Sequence, residues 1–231
     1  MGKVIIQERT VKDPITLIGE EAGICYGTNT SDKDRNYQRG LDCLKANHGR
    51  TLEFPDIYLI LDGYSAKVIR EWYTHLGGMP TRLQASTRYI KYQNGFDYVV
   101  PHTIEDNDEA KRIYMLAMGN ILQSMRELEA LEIPREDSSM LLPLGMETKV
   151  VCKHNLRNLI DMSHQRECKR AYWEYRELFN DIKEALSNYS PEWKYVVDNY
   201  FKPKCAVLGH CPETYPCNKT ATDNSKKKKN N

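Results

Sequence analysis

Long amphipathic helical segments, mixed with a few short strands, constrain the fold of this 231-residue chain most strongly. Asp106 or Asn107 can cap a helix that runs to about Leu131. A second long helix is predicted from Asn155 to Ser187. The apolar stripe of the first helix repeats at helical spacing and comprises Tyr114, Met118, Ile121, Met125 and Leu128. Because strands and helices follow one another irregularly, the pattern predicts an α+β fold and not a repeated βαβ wind.

The shorter elements follow from turn signals and apolar runs. The run Asp56 to Leu61 has strand length and ends at Asp62-Gly63, and Ser65 can cap a helix from Ala66 to about Leu76. Further helices are predicted from Lys33 to Asn47 and from Pro191 to about Phe201, and Pro134 opens a short helical turn. Other strands are predicted at Val4 to Glu8, Ile15 to Ile18, Ser86 to Tyr92, Tyr98 to Val100 and Thr148 to Cys152.

Composition and charge exclude several classes of protein. No apolar run approaches the roughly 20 residues that span a bilayer, and no signal peptide is recognisable, so a cytoplasmic protein without a membrane partner is expected. The net charge is +1, but residues from Asn218 onward hold five lysines and one aspartate, which leaves −3 for the body. A body of that charge argues against nucleic-acid binding. We expect one domain over residues 1–202 and a C-terminal extension over residues 203–231, ending in a disordered Lys-rich tail.

The seven cysteines are irregularly spaced, which favours reduced thiols over a disulfide framework. Cys205, Cys211 and Cys217 cluster in the extension, but five residues separate each pair. Zinc sites usually have about two to four residues between ligands, so no metal site is predicted.

Two polar segments are candidates for binding an anionic, planar ligand such as a nucleotide, because guanidinium groups are suited to phosphate. On the predicted helix from Asn155, the side chains of Asn155, Leu159, Met162 and Arg166 fall within an arc of about 60°. Arg157 and Asp161 form an i, i+4 pair on another face. This helix presents either a ligand site or a surface arginine beside a core stripe.

The second segment follows the Gly77-Gly78 turn. Strand alternation would place Gln84, Ser86 and Arg88 on one side, with Arg82 extending the row. These side chains could hold a phosphate and the edge of a base, or they form an exposed polar sheet face. His75 lies in the last turn of the preceding predicted helix, where it could simply complement the helix dipole. Neither a Gly-x-Gly-x-x-Gly motif nor a Walker-type loop is present.

The order of these segments resembles a known family over roughly residues 14 to 200. The similarity runs through His48-Gly49 and the segment Arg70 to His75, then through Ser86-Thr87-Arg88-Tyr89 and Leu142-Pro143-Leu144. It ends with Asn155-Leu156-Arg157, Arg166 and Ala171-Tyr172-Trp173-Glu174. On these residues the chain resembles the flavin-dependent thymidylate synthases, the ThyX family.

The chain also departs from the family pattern. Thr74-His75-Leu76 stands where the family has Arg-His-Arg, whose arginines help to hold the flavin phosphates, and the following loop is two residues longer. Arg82 could replace those arginines. Gln84 stands where the family has a glutamate, and Asp161 where it has a flavin-contacting asparagine. A substrate-binding arginine of the family falls near Ser139, with Arg135 the closest candidate.

The resemblance implies a ThyX-like fold, with a central, mostly antiparallel sheet flanked by long helices, and a homotetramer. It implies reductive methylation of dUMP to dTMP with FAD as cofactor and with NADPH and 5,10-methylenetetrahydrofolate as co-substrates. Arg166 would be catalytic and polarise the uracil ring. The implied dUMP-binding residues are Glu71, Gln84, Ser86, Arg88 and Arg166. The implied FAD-binding residues are His75, Arg82, Asn155, Arg157 and Asp161.

Two alternatives stay open at this point. The changed loop could mark another pyrimidine nucleotide, UMP or a modified one, as the substrate. It could also mark a flavin- or nucleotide-binding homologue without methylation activity.

Overall fold

The computed structural model describes residues 2–77 and 79–217. Within them, four strands form one antiparallel sheet in the order β1-β2-β4-β3. The strands are β1 (Lys3–Ile6), β2 (Asp56–Ser65), β3 (Thr81–Gln84) and β4 (Glu147–Asn155). Together with the helices, this sheet confirms the predicted α+β class and the antiparallel arrangement.

The helices range from single turns to long amphipathic segments. They are α1 (Pro14–Cys25), α2 (Lys33–Lys45), α3 (Ala66–Trp72), α4 (His102–Glu105), α5 (Asp108–Ala130), α6 (Arg135–Ser138), α7 (Leu156–Arg166), α8 (Trp173–Tyr189), α9 (Pro191–Tyr200) and α10 (Lys204–Leu208). Short 3-10 turns lie at Thr51–Glu53, Tyr92–Asn94 and Ser139–Leu141. No helix in the described ranges combines the length and the apolar character needed to cross a bilayer.

Capping residues predicted from the sequence are confirmed. Ser65 caps α3, where its side chain accepts a hydrogen bond from the backbone N–H of Val68. Asn107 caps α5 by accepting from the N–H of Ala110, which decides between the two predicted caps. Such caps satisfy backbone donors that a helix leaves without an internal partner. The local sequence therefore sets where these two helices begin.

Three predicted elements are wrong. Residues Ile15 to Ile18 belong to α1 and not to a strand, since Pro14 occupies the first turn of that helix. The segment from Ser86 to Tyr92 is turn and 3-10 structure, and Tyr98 forms only an isolated bridge to Met146. The strand in this region is β3, which ends at Gln84.

The predicted helix from Asn155 to Ser187 is two helices. α7 ends at Arg166, and α8 begins at Trp173 after a turn in which the N–H of Ala171 bonds to the carbonyl of Cys168. No proline or glycine marks the break, so the apolar pattern alone reads as continuous. The break matters for function because it places Arg166 at a helix end.

The chain divides into two compact units. Among the described residues, the first unit comprises 2–3, Leu61–Tyr73 and Arg82–Val151, and the second comprises Val4–Ile60, 74–77, 79–81 and 152–217. The first unit contains a small core in which Tyr92, Met125 and Met146 pack together. The predicted single domain over residues 1–202 stays a prediction, and the Lys-rich tail lies outside the described residues.

The second unit contains the larger core. α1 and α2 cross closely at two glycines: a Cβ on Gly19 would lie 1.7 Å from the carbonyl oxygen of Asn36, and one on Gly40 would lie 1.9 Å from that of Ile15. The buried face of α8 packs in the same unit, with Tyr175 and Phe179 fully buried. Glu192 of α9 accepts hydrogen bonds from the N–H groups of Ile15 and Thr16, at 2.7 and 3.0 Å.

Candidate active site

Arg166, the last residue of α7, lies at the centre of a polar cluster in the second unit. Its Nε donates a 2.8 Å hydrogen bond to Nε2 of His75. A terminal nitrogen of the same guanidinium donates to the hydroxyl of Thr74 at 3.4 Å. Accepting this bond through Nε2 requires the tautomer of His75 that holds its proton on Nδ1. The structure thus joins Arg166 and His75, two residues that the sequence singled out by separate arguments.

The aromatic ring of Tyr175 supports this cluster. The guanidinium carbon of Arg166 lies 4.5 Å from the centre of the Tyr175 ring. The His75 ring meets the same tyrosine edge-on, with 6.0 Å between ring centres. Tyr175 is 0% exposed, so both contacts rest on a ring that belongs to the core. We refer to Thr74, His75, Arg166 and Tyr175 as the arginine corner.

His75 lies beyond the end of its preceding helix, which corrects an interpretation made from the sequence. α3 ends at Trp72, with Tyr73 as its C-cap. The imidazole therefore does not complement the last turn of α3, as the helix-dipole interpretation required. Its position is explained by the bond to Arg166.

A cavity of about 440 Å³ opens beside the arginine corner. It is lined by Thr74, His75, Leu76, Gly77, Asn158, Asp161, His164, Gln165 and Lys204. Two of the residues predicted to bind flavin, His75 and Asp161, therefore line one cavity. Burial, the largest cause, lowers the pKa of His164, and the charge of Lys204 adds to this while Asp161 opposes it. Neither His164 nor Lys204 was predictable as a site residue from the sequence pattern.

A larger cavity of about 590 Å³ is lined by Arg166 and by four cysteines, Cys168, Cys205, Cys211 and Cys217. None of the seven cysteines, all of which lie in the described ranges, forms a disulfide. Burial, followed by the neighbouring Cys211 and Cys168, raises the pKa of the Cys205 thiol. Among residues 2–77 and 79–217, no group of three or more histidine, cysteine or carboxylate side chains has the arrangement of a metal site.

The ion pairs around this cavity tie its walls together. Arg170 donates to the backbone oxygen of Tyr215 at 2.7 Å and lies 3.7 Å from Glu213, so the extension is held against the turn after α7. Glu167 lies 3.0 Å from the ammonium of Lys183. Burial raises the pKa of Glu167, against the opposing effect of Lys183.

Asn155 and Arg157 occupy positions different from those predicted. Asn155 is the N-cap of α7, where its side chain accepts from the N–H of Asn158 at 2.9 Å. It is therefore not part of the helical face with Arg166, although it lines a separate cavity of about 390 Å³. Arg157 pairs with Glu53 at 2.7 Å, and not with Asp161 as the i, i+4 spacing predicted. Tertiary contact has overridden the local pairing.

The remaining predicted residues lie in the first unit. Glu71 is a half-buried residue of α3. Arg82 donates to the carbonyl oxygen of Tyr73 at 3.3 Å, and its guanidinium carbon lies 5.2 Å from the centre of that tyrosine ring. Gln84, at the end of β3, donates to the hydroxyl of Thr148 at 3.3 Å.

Ser86 and Arg88 lie in a turn, so they do not share a strand face with Gln84. The backbone N–H of Arg88 donates to the Ser86 hydroxyl at 3.3 Å. The guanidinium of Arg88 donates to the hydroxyl of Tyr89 at 3.2 Å and lies 4.0 Å from Glu136. Arg135 donates to the backbone oxygen of Tyr89, which places it in the same neighbourhood. Hydroxyl and guanidinium groups are thus gathered by a turn and not by strand alternation.

Sequence reasoning missed Tyr175 and Thr74. Tyr175 is the first apolar member of the buried stripe of α8, and this spacing predicts a core residue. Nothing in that spacing indicates that its ring supports an arginine. Thr74 was noted only as a departure from a family motif, whereas its hydroxyl accepts from Arg166.

Comparison with known proteins identifies the family of the chain. Over residues 6–192 the sequence matches the family described as thymidylate synthase complementing protein. The chain is 27% identical over 243 aligned residues to the flavin-dependent thymidylate synthase of Clostridium tetani, covering 95% of this chain and 94% of that protein. It is 26% identical to the enzyme of the same name from Geobacter sulfurreducens, covering 91% of each chain.

A solved structure shows the same fold. ThyX from Helicobacter pylori, determined with FAD and dUMP, matches with a TM-score of 0.68 and 18% identity, covering 87% of this chain and all of that chain (100%). The sequence match extends over far more than half of the chain. The chain therefore belongs to the thymidylate synthase complementing protein family, the family of the flavin-dependent thymidylate synthases.

Proposed function

We propose that this chain is a flavin-dependent thymidylate synthase, a methyltransferase that converts dUMP to dTMP with 5,10-methylenetetrahydrofolate and NADPH. The observation that supports this most directly is the arginine corner. The Arg166 guanidinium lines the 590 Å³ cavity and is oriented by His75 and Thr74, which line the 440 Å³ cavity. Family membership supplies the chemistry that such a group would serve.

Arg166 is the proposed catalytic residue. Its guanidinium would stabilise the negative charge that develops on the uracil ring as C5 becomes nucleophilic. The hydrogen bonds to His75 and Thr74 orient this charge before the substrate arrives, which avoids reorganisation during the reaction. The buried Tyr175 ring beneath it lowers the local polarity and strengthens the interaction.

The residues around the arginine corner fit a flavin nucleotide. Thr74, Gln165, Asn158 and Lys204 offer hydrogen-bond donors along the 440 Å³ cavity, and His75 and Asp161 line it too. FAD would supply the redox chemistry, with NADPH as its reductant. Asn155, Arg157 and Arg82 complete the proposed FAD-binding set. Asn155 lines a neighbouring cavity of the second unit, while Arg82 belongs to the first unit.

The proposed dUMP-binding residues are Glu71, Gln84, Ser86, Arg88 and Arg166. The turn that holds Ser86 and Arg88 gathers a hydroxyl and a guanidinium, a pairing suited to phosphate. We also propose that residues 1–202 form the catalytic domain, that the enzyme acts in the cytoplasm, and that it assembles as a homotetramer.

A second candidate is methylation of another pyrimidine nucleotide, UMP or a modified one. The observation that favours it is Gln84, an amide bonded to Thr148 where the family pattern has a carboxylate. An amide offers a donor as well as an acceptor, so it can satisfy a different edge of the substrate. A ligand-binding homologue without methylation activity is the further alternative.

The test is the visible absorption spectrum of the purified protein with added FAD, followed by methylation assays with dUMP and UMP. We expect flavin absorption bands that stay with the protein through gel filtration and shift when dUMP is added. We also expect methylation of dUMP in the turnover assay. Turnover with UMP alone would replace the first proposal by the second. Bound flavin without methylation of any pyrimidine nucleotide would support the ligand-binding homologue without methylation activity. Absence of bound flavin would contradict every proposal that requires FAD.

A further inference from the structure

The Tyr175 ring contacts both members of the Arg166–His75 pair. The guanidinium lies over its face at 4.5 Å, and the imidazole meets it edge-on at 6.0 Å with 67° between the ring planes. A cation over the face of an aromatic ring is attracted by the ring's negative face, and an edge-on ring is a preferred aromatic geometry. One ring therefore sets the height of the guanidinium and the position of the imidazole that accepts its hydrogen bond.

The ring itself is held by the core. Tyr175 begins the apolar buried stripe of α8, which continues through Leu178 and Phe179, all of them 0% exposed. Phe179 packs against Phe201 with 5.7 Å between ring centres. Side chains in such cores sit in defined rotamers, so the Tyr175 ring has little freedom. A free arginine side chain, in contrast, has several rotatable bonds and loses entropy when it is fixed.

We infer that Tyr175 is a positioning residue: its buried ring fixes the Arg166–His75 pair and thereby sets the affinity for the pyrimidine nucleotide. The inference rests on the proposed function, because it assumes that Arg166 meets the substrate. The aromatic ring of Tyr175, and not its hydroxyl, positions Arg166 and His75. A phenylalanine would keep the platform, whereas an aliphatic side chain would keep the burial and lose the platform.

The first experiment compares Tyr175→Leu and Tyr175→Phe with a matched control, Phe179→Leu. The control removes a buried ring one helical turn later on the same face, away from Arg166. The dissociation constant for dUMP is measured on the flavin-loaded protein from the change in flavin absorbance, together with kcat, KM and Tm. Tyr175→Leu is expected to weaken dUMP binding about fivefold to thirtyfold, the range of a cation–π contact, with Tyr175→Phe restoring it to within about twofold.

Phe179→Leu is expected to lower Tm at least as much as Tyr175→Leu while leaving dUMP affinity within about twofold. Equal losses of affinity in Tyr175→Leu and Phe179→Leu would overturn the inference, since the effect would then be general loosening of α8. Equal affinity in Tyr175→Leu and Tyr175→Phe would overturn it as well.

A second readout needs neither flavin nor substrate. In protein labelled with ¹⁵N-histidine, the His75 ring nitrogens report the tautomer, with the signals assigned through His75→Gln. We expect one tautomer, with the proton on Nδ1, in the parent and in Tyr175→Phe, and tautomer-averaged signals in Tyr175→Leu. Unchanged signals in Tyr175→Leu would overturn the inference. Failure of the parent to bind flavin and dUMP would instead overturn the proposed function, and the nitrogen signals would still decide whether the ring fixes the pair.

Discussion

Arg88 and Arg166 each lie over a tyrosine ring, and these two contacts differ in how the ring is held. Arg88 lies 5.4 Å from the centre of the Tyr89 ring, which is 72% exposed on a turn of the first unit. Arg166 lies 4.5 Å from the centre of the Tyr175 ring, which is 0% exposed in the second unit. Exposed contacts of this kind are screened by salt and compete with water, whereas buried or partly buried ones are screened much less.

The difference indicates a division of roles. The guanidinium of Arg88 is free to follow a mobile ligand group such as a phosphate, because its local partners are exposed. The guanidinium of Arg166 is fixed in advance by His75, Thr74 and the ring. A fixed charge is what stabilisation of a transition state requires, whereas a mobile charge suffices for binding.

The largest effect is expected for Arg166→Ala. Loss of a preorganised charge at the reacting ring should reduce turnover by at least about 100-fold, with flavin still bound. Steady-state turnover and the flavin spectrum are the two measurements. Arg35→Ala is the control, because Arg35 is an exposed arginine of the same unit paired with Asp32. Turnover close to that of the parent would remove Arg166 from the mechanism.

Arg88→Ala tests the binding side of the comparison. Removal of a charge-assisted hydrogen bond of about 1.5–3 kcal/mol should weaken dUMP binding by roughly 10- to 100-fold. Once dUMP is saturating, kcat should change far less than in Arg166→Ala. Titration of dUMP against the flavin spectrum measures the first quantity. Arg112→Ala, on the exposed face of α5, serves as control; equal effects of the two variants would refute a specific contact.

The burial of His164, which lies beside Arg166, should affect how the free energy of unfolding depends on pH. Burial lowers the pKa of His164 in the folded protein, with Lys204 and Asp161 as its charged neighbours. As pH falls, the unfolded chain takes up the proton first, so this residue reduces the free energy of unfolding below its ordinary pKa. His164→Gln should therefore lose less stability between about pH 8 and about pH 5.

Urea unfolding at several pH values measures that difference. His102→Gln is the control, since the His102 side chain is exposed. A pH dependence in His164→Gln as steep as that of the parent would show that burial does not lower the pKa of His164, and the region beside Arg166 would then be as open to water as the region around Arg88.

The smallest effect is expected for Tyr89→Leu. Its ring is exposed and contacts Arg88 only at the surface, so dUMP affinity should stay within about twofold of the parent. A loss as large as that of Tyr175→Leu would break the comparison, because an exposed ring would then orient its arginine as effectively as a buried one. The dUMP titration is again the measurement.

Much of the fold was predictable where the local sequence decides it. The caps Ser65 and Asn107, the run that became β2 and the stripe of α5 each depend on nearby residues. The α+β class and the family resemblance also proved correct. The prediction for Ile15 to Ile18 is wrong because a short apolar run fits either a strand or a helix. The close crossing of α1 with α2 at Gly40 depends on tertiary packing, which the local sequence does not show.

The candidate site was predictable in its residue types and not in its arrangement. The sequence singled out Arg166 and His75, but their hydrogen bond joins positions 91 residues apart. Arg157 forms an ion pair with Glu53 and not with Asp161. Ser86 and Arg88 lie together because of a turn. Tyr175 was beyond the reach of pattern reasoning, because helical spacing predicts burial and says nothing about which charge a buried ring will support.

The bond network of Glu192 has a consequence for how the chain is made. Asp13 gives α1 no side-chain cap, and the N–H groups of Ile15 and Thr16 bond instead to a carboxylate 177 and 176 residues later. During synthesis α1 therefore emerges with its amino end open to water. It stays incomplete until α9 has left the ribosome, so this helix is made well before it is finished.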